Sequence, residues 1–415
     1  MQTFLSCAKK LTRTMENNTR CVNPYMNLSI HPKGVVKPCC MSDLEFTTDS
    51  GVKTINRASI LEFWNSKRRQ QMIDDLNNGI KIPECKSCWQ EEDAGKESKR
   101  IRDNKIHEAS ITDSTMLPVV MDISMGNLCN LKCRICSPTH STPWMIEEAE
   151  LQYPKDKQKY LKHPRWTIAK ESFDYANDYL WDDITALLPN VTKFDFAGGE
   201  PFYIEKHWSI VEKCVENGWS KNQHIHYNTN GTIYPEKYIP LLEEFKIVDI
   251  QISSDGLGKK FEYCRHPAVW TEVEENVDKF IVATHTSKTT WWLSACISIS
   301  AFNVYYFFET FEHYASKGIG IYINIVHDHH GTRVLPTELK QKIIDVLLTQ
   351  ESSYAREQWH RDREMVIRHL QNTEYNAHDW REFWKEIKVR DAIRKESFEE
   401  TFPEYYAEMK NYIIG

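Results

Sequence analysis

The chain has no apolar run long enough to cross a bilayer, and its first residues lack the hydrophobic core of a secretory leader. Both absences lead us to expect a reducing, cytoplasmic setting. A strong excess of either charge is missing as well. The formal net charge is −7, too mild to point to a nucleic acid as partner. Basic runs such as Lys96-Glu97-Ser98-Lys99-Arg100-Ile101-Arg102 are broken by acids and read as a solvated helix or linker face. Internal repeats and long low-complexity tracts are missing, which excludes a repeat array. Against these absences, 41% hydrophobic residues over 415 positions suffice for a large domain with a small one appended.

What the chain does have is cysteine. Twelve are present, and nine lie before residue 137, a clustering that a secreted disulfide framework does not explain. Cys129, Cys133 and Cys136 sit in the run Met-Gly-Asn-Leu-Cys129-Asn-Leu-Lys-Cys133-Arg-Ile-Cys136. Residues 119–124 precede that run and read as a buried strand. Three thiolates on one short loop can hold three irons of a 4Fe-4S cluster, leaving the fourth iron open to a substrate or cofactor. A structural zinc site is the bland alternative, with His140 able to supply a fourth ligand.

Three later strand ends carry small polar groups. Phe194-Asp195-Phe196-Ala197-Gly198-Gly199-Glu200-Pro201 runs from alternating apolar residues into two glycines and a carboxylate. Glycines let backbone approach a ligand closely, and a carboxylate accepts from an ammonium. His224-Ile225-His226-Tyr227-Asn228-Thr229-Asn230-Gly231 ends in a sequence that could also be an ordinary Asn-Gly turn. Ile247 to Gly256 ends in Ser253-Ser254-Asp255-Gly256, and Arg265 follows.

In this order, the triplet and these three motifs resemble the radical S-adenosylmethionine (SAM) enzymes. The resemblance implies that Cys129, Cys133 and Cys136 hold a cluster whose open iron is chelated by SAM. Reductive cleavage of SAM would then yield a 5′-deoxyadenosyl radical that abstracts hydrogen. By the same resemblance Gly198, Gly199 and Glu200 bind the SAM amino group. Ser253 and Arg265 would meet its carboxylate, with Asn228, Asn230 and Asp255 as polar neighbours. A guanidinium suits that carboxylate because its donor fork pairs with both oxygens. A surface ion pair is the ordinary alternative for Arg265.

Two more strands are expected around 292–299 and 319–326, with helical stretches such as 306–314 between. Strands alternating with helices imply parallel pairing and right-handed crossovers. Six strands between residues 119 and 327 fit the partial (β/α)6, TIM-like barrel of the radical SAM family. The four motifs then fall at carboxyl ends of strands, where such barrels collect their chemistry. The segment 137–190, with Trp144, Trp166 and Trp181, reads as an insertion or extended helix pair that covers a site or packs on the rim. The tail beyond Leu335 reads as helices packed through Trp359, Trp380 and Trp384. His327-Asp328-His329-His330 looks metal-like, but adjacent histidines on a strand end face opposite sides, so a loop or polar wall is expected.

The N-terminal cysteines form a second constellation. Residues 27–40 read as a β-hairpin around a Pro-Lys-Gly turn that ends in Cys39-Cys40. Cys21 precedes it, and a helix near 59–78 leads to Cys85 and Cys88. This order resembles the twitch domain, the short form of the SPASM domain, which carries an auxiliary iron–sulfur cluster. In most relatives that domain follows the barrel, and here it precedes it. The resemblance implies Cys21, Cys85, Cys88 and either Cys39 or Cys40 as ligands, and a Zn(Cys)4 site remains the alternative. Cys7, Cys214, Cys264 and Cys296 read as ordinary thiols. Residues 1–110 would be the auxiliary-cluster domain, 111–335 the barrel and 336–415 a helical extension. The function implied is radical chemistry on a peptide or protein side chain, with an electron donor such as flavodoxin or ferredoxin. A small-molecule radical dehydrogenase or rearrangement enzyme, or a non-catalytic iron–sulfur or zinc protein, is the alternative.

Overall fold

A computed structural model describes residues 19–93, 97–111, 117–156, 159 and 178–412. Cys7, Trp166 and much of the segment 137–190 lie outside the described residues. The chain divides into two compact units that are discontinuous in sequence. One holds the residues up to Leu128, Tyr153–His226 and Glu244–Lys246. The other holds Cys129–Gln152, Tyr227–Glu243 and Ile247–Gly415.

In the first unit the strand order is β2-β1-β3-β4, where β1 is Asn27–Ile30, β2 Val36–Lys37, β3 Val120–Ser124 and β4 Lys193–Ala197; the next strand, β5 (His224–Thr229), belongs to the second unit from Tyr227 onward. The expected hairpin forms: β1 and β2 pair antiparallel, with Ile30 opposite Val36. Its turn needs Gly34, which adopts φ 71. The hairpin is not free-standing, however. All four residues of β1 are buried, and β1 pairs parallel with β3, Ser29 opposite Asp122. A strand buried on both faces needs a second neighbour, and β3 supplies it. β3 in turn pairs parallel with β4, Asp122 opposite Asp195. Along β4 the side chains alternate, so Phe194 and Phe196 are buried on one face while Lys193 and Asp195 take the other.

The single helix expected near 59–78 is two. Ser59 caps Ile60–Trp64 in a capping box with Glu62, and Ser66 caps Lys67–Asn77 by accepting from the Arg69 N–H. A second capping serine inside the stretch restarts the helix. Helices Lys86–Asp93 and Lys99–His107 follow, the latter capped by Ser98.

In the second unit the order is β6-β7-β8, with β6 Ile247–Ser253, β7 Thr290–Ile299 and β8 Gly320–Ile325. β6 pairs parallel with β7, and β7 with β8. Helices Trp270–Thr286 and Phe307–Ser316 make the crossovers. Four longer helical stretches follow: Thr337–Thr349, Arg356–Asn372, Ala377–Arg394 and Pro403–Met409. They pack as expected through tryptophan. Trp359, Trp380 and Trp384 share one core with Ile297 and Ile299 of β7 and Ile323 of β8. Trp359 sits 5.1 Å from the rings of Phe307 and Phe311, a tilted packing that aromatic quadrupoles favour. The whole is a mostly parallel α/β arrangement flanked by helices.

Candidate functional site

The cysteine triplet is held by backbone bonds rather than by regular structure. Lys132 N–H donates to the His266 carbonyl and Arg134 N–H to the Cys264 carbonyl, each at 2.7 Å. Trp144 Nε1 donates to the Cys133 carbonyl at 2.6 Å, and Cys136 N–H to the same carbonyl at 3.0 Å. The three thiols of this loop are half-buried. Burial, then the neighbouring Cys133 and Cys129, push the Cys136 thiol up. Thiolates crowded in this way are costly to ionise alone and suit a cationic centre, which would take them deprotonated. Between the cysteines, buried Arg134 pairs with Asp391 at 2.6 Å and with Glu396, and lies 3.9 Å over the Tyr263 ring.

Polar side chains of the same unit face these thiols. Arg265 is buried rather than at the surface: Nη1 approaches Cys133 Sγ at 3.9 Å, and Nη2 pairs with Asp255 Oδ2 at 2.8 Å. Ser298 N–H donates to Asp255 Oδ1 at 3.3 Å, and Asn303 Nδ2 to the Asp255 carbonyl at 3.2 Å. Burial raises the Asp255 carboxyl in spite of Arg265. Asn230 Nδ2 donates to Asn130 Oδ1 at 2.9 Å and points toward Cys129 Sγ at 4.0 Å. Ser253 lies half-buried at the end of β6, paired in register with Cys296, and Asn228 is half-buried on β5. Asn230, Asp255 and Arg265 are thus brought to the triplet directly.

In the other unit, Gly198-Gly199-Glu200 clamps the turn just before Cys129. A Cβ at Gly199 would lie 2.0 Å from the Leu128 carbonyl oxygen, and one at Gly198 would lie 2.8 Å from Ser124 Cβ. Only glycine fits at either place, where φ is 57 and 78. Glu200 is fully buried: its N–H donates to the Leu128 carbonyl at 2.8 Å, and its Oε1 accepts from Phe202 N–H at 3.1 Å.

The N-terminal cysteines converge in the same unit. Cys21, Cys39, Cys85 and Cys88 line one largely apolar cavity with Met72, Leu76 and Trp89. Asn23 Nδ2 donates to Cys21 Sγ at 3.7 Å, and the Ser42 hydroxyl contacts Cys85 Sγ at 3.7 Å. Burial first, then Cys85 and Cys88, push the Cys21 thiol up to about 12. Burial likewise pushes Cys85 up to about 11. Four thiols from three chain segments lining one cavity is a ligand set for a metal or cluster.

Residues 21–89 match SPASM, an iron–sulfur cluster-binding domain. No curated protein matches the chain. Among solved structures, the chain is similar to anSMEcpe with bound AdoMet and Cp18Cys peptide, at 14% identity and a TM-score of 0.35, over 55% of this chain and 59% of that one. It is also similar to Streptococcus suis SuiB bound to precursor peptide SuiA, at 11% identity and a TM-score of 0.33, over 66% of this chain and 59% of that one. The matches therefore span less than two thirds of either relative.

Within the SPASM-like segment the adjacent cysteines part company. Cys39 lines the cavity, whereas Cys40 meets Asp122 and Lys99. Its surface is accessible, yet the surrounding protein desolvates the thiol, and this together with Asp122 pushes it up. Asp122 accepts from the Ser29 hydroxyl at 3.2 Å, and burial followed by Asp195 raises it to about 6. Lys99 pairs with Asp103 at 3.0 Å, and Lys193 pairs with Asp195 at 2.9 Å. Burial alone would raise Asp195, but Lys193 holds it below the ordinary value. This row of ionisable groups was absent from the sequence reading. Its signal was present in the aspartates at alternating positions of otherwise apolar strands.

Proposed function

We propose that this chain is a radical SAM enzyme acting on a side chain of a peptide or protein. The observation that carries the reading is the convergence of Cys129, Cys133 and Cys136 beside the buried Arg265–Asp255 pair. In this reading the three thiolates hold a 4Fe-4S cluster. Glu200 with Gly198 and Gly199 receives the SAM ammonium, and Ser253 and Arg265 receive its carboxylate. Asn228, Asn230 and Asp255 line the cofactor. When bound, cluster and SAM together would supply reductive cleavage and the hydrogen abstraction that follows. The chain's own part is positional. Asp255 fixes the guanidinium fork of Arg265, and Asn230 orients the Cys129 thiol through a polar contact. The clamp of Gly199 on Leu128 fixes where the cysteine loop starts.

The auxiliary centre belongs to the same reading, with Cys21, Cys39, Cys85 and Cys88 as its ligands. The shared cavity supports Cys39 over Cys40. A partial (β/α)6 barrel, the segment boundaries at 110 and 335, a cytoplasmic setting and a flavodoxin- or ferredoxin-like electron donor are further parts of the proposal. The peptide substrate follows the resemblance, and the peptides bound by anSMEcpe and SuiB agree with it in kind.

Anaerobic reconstitution with iron and sulfide counting, and EPR of the reduced protein before and after SAM, tests the reading. About eight irons, with one signal moved by SAM and 5′-deoxyadenosine released on reduction, is the expected result. A fully loaded protein that neither responds to SAM nor cleaves it would overturn it.

A further inference from the structure

The loop beyond β8 folds tightly on itself. Gly331 N–H donates to the Asp328 carbonyl at 3.0 Å, His330 N–H to Asp328 Oδ1 at 2.8 Å, and Ala301 N–H to the His330 carbonyl at 2.8 Å. A Cβ at Gly331 would lie 2.3 Å from the Val326 carbonyl oxygen, so only glycine closes this turn. The closure corrects the strand-end expectation for these histidines. His329 and His330 do not face opposite sides: their ring centroids are 3.9 Å apart. One ligand atom from each of Asp328, His329 and His330 lies within 4.8 Å of the other two.

The two nitrogens of His330 have different surroundings. The residue is 2% exposed. Nε2 stands 3.1 Å from Glu386 Oε2, on the helix Ala377–Arg394. Donation from Nε2–H to that carboxylate fixes the tautomer and leaves a lone pair on Nδ1. Nδ1 is buried without a hydrogen-bond partner and faces Asp328 Oδ1 at 3.8 Å. A lone pair and a carboxylate oxygen confronting each other repel unless a cation lies between them. The spacing suits one, since donors about 2.1 Å from a tetrahedral ion stand roughly 3.4 Å apart. A carboxylate on the far nitrogen is how ligating histidines are commonly oriented. His329 and Asp328 are exposed and can close on an ion by small side-chain rotations.

We propose that Asp328, His329 and His330 bind one divalent transition-metal ion of the Zn²⁺, Co²⁺ or Ni²⁺ class, with Glu386 orienting His330. Imidazole with a single carboxylate selects these ions over Mg²⁺ or Ca²⁺. The site is separate from both cysteine constellations and stands whether or not the chain is a SAM enzyme. The competing occupant of the gap is a proton, which would make His330 an imidazolium between Asp328 and Glu386.

Titration of the cluster-reconstituted, full-length protein with Co²⁺ separates the two, because a gap filled by a proton takes up no stoichiometric ion, and thiolate ligation elsewhere would announce itself by intense charge-transfer bands. One equivalent should bind with weak ligand-field bands and no thiolate band. D328N and H329Q should each weaken that binding tenfold or more at unchanged iron content. Both side chains are exposed, so neither variant threatens the fold. Absence of stoichiometric Co²⁺ binding, or binding that both variants leave unchanged, would overturn the proposal.

Discussion

The two thiol constellations of this chain are built in opposite ways. Cys129, Cys133 and Cys136 come from one short loop, and polar groups point at their sulfurs, Arg265 at Cys133 and Asn230 at Cys129. Cys21, Cys39 and the Cys85/Cys88 pair come from three separate segments and meet in a cavity walled largely by apolar side chains. The first is specified locally, offers three ligands and stays polar around the gap. The second exists only once the hairpin and the helices around it have docked, and it offers a complete set of four. In the proposed reading, a three-ligand polar site leaves a cluster iron open for chemistry, and a complete set of four leaves none.

Breaking the comparison at its strongest point, C133A should abolish SAM cleavage and remove about half of the iron, read by iron counting and 5′-deoxyadenosine release. The second site should respond to one member of the adjacent pair only. C39A is expected to lose the auxiliary signal in EPR while C40A keeps it, and the reverse result would reassign the ligand. R265A leaves Asp255 buried without its partner, which should cost about 3–5 kcal/mol in urea unfolding. W359A, which contacts Phe307, Phe308 and Phe311 rather than a thiol, should cost a similar 3–5 kcal/mol by opening a cavity in the aromatic core, yet leave the iron content intact. The smallest effect concerns acid. Burial alone would raise Glu147, but Arg394 and Lys132 hold it down to about 2. A carboxylate depressed in the folded state stabilises above its unfolded pKa, and that stability fades as pH falls from about 4.3 toward 2. E147Q should therefore flatten the acid limb of urea midpoints measured across that range, and an unchanged slope would remove Glu147 from the account.

The same contrast explains what could be read in advance. The triplet was legible because its spacing is itself the geometry of a loop. Gly198-Gly199-Glu200 was legible as a motif, but not its clamp on Leu128, because a close approach depends on two distant segments. That Cys39 lines the cavity was not legible, since neighbours in a turn diverge and sequence does not say which one faces inward. β1 was expected as half of a hairpin, and its parallel pairing with β3 was hidden because register across a gap of some ninety residues leaves no local trace. For His329 and His330 the loop was legible, but the approach of their rings was not, because Gly331 folds that loop back on itself.

Arg134 has a consequence for the order in which this protein can be made. It stands between Cys133 and Cys136, yet its partners Asp391 and Glu396 lie 257 and 262 residues further along the chain. A ribosome adding residues one at a time finishes the cysteine loop long before it supplies the carboxylates that pin it. Until then the guanidinium has no carboxylate to hold it beneath Tyr263, and the loop lacks one of its anchors. If the triplet takes up iron as proposed, that insertion would be coupled to late translation, and a nascent chain that stalled early would present those thiols without the carboxylates that anchor their loop.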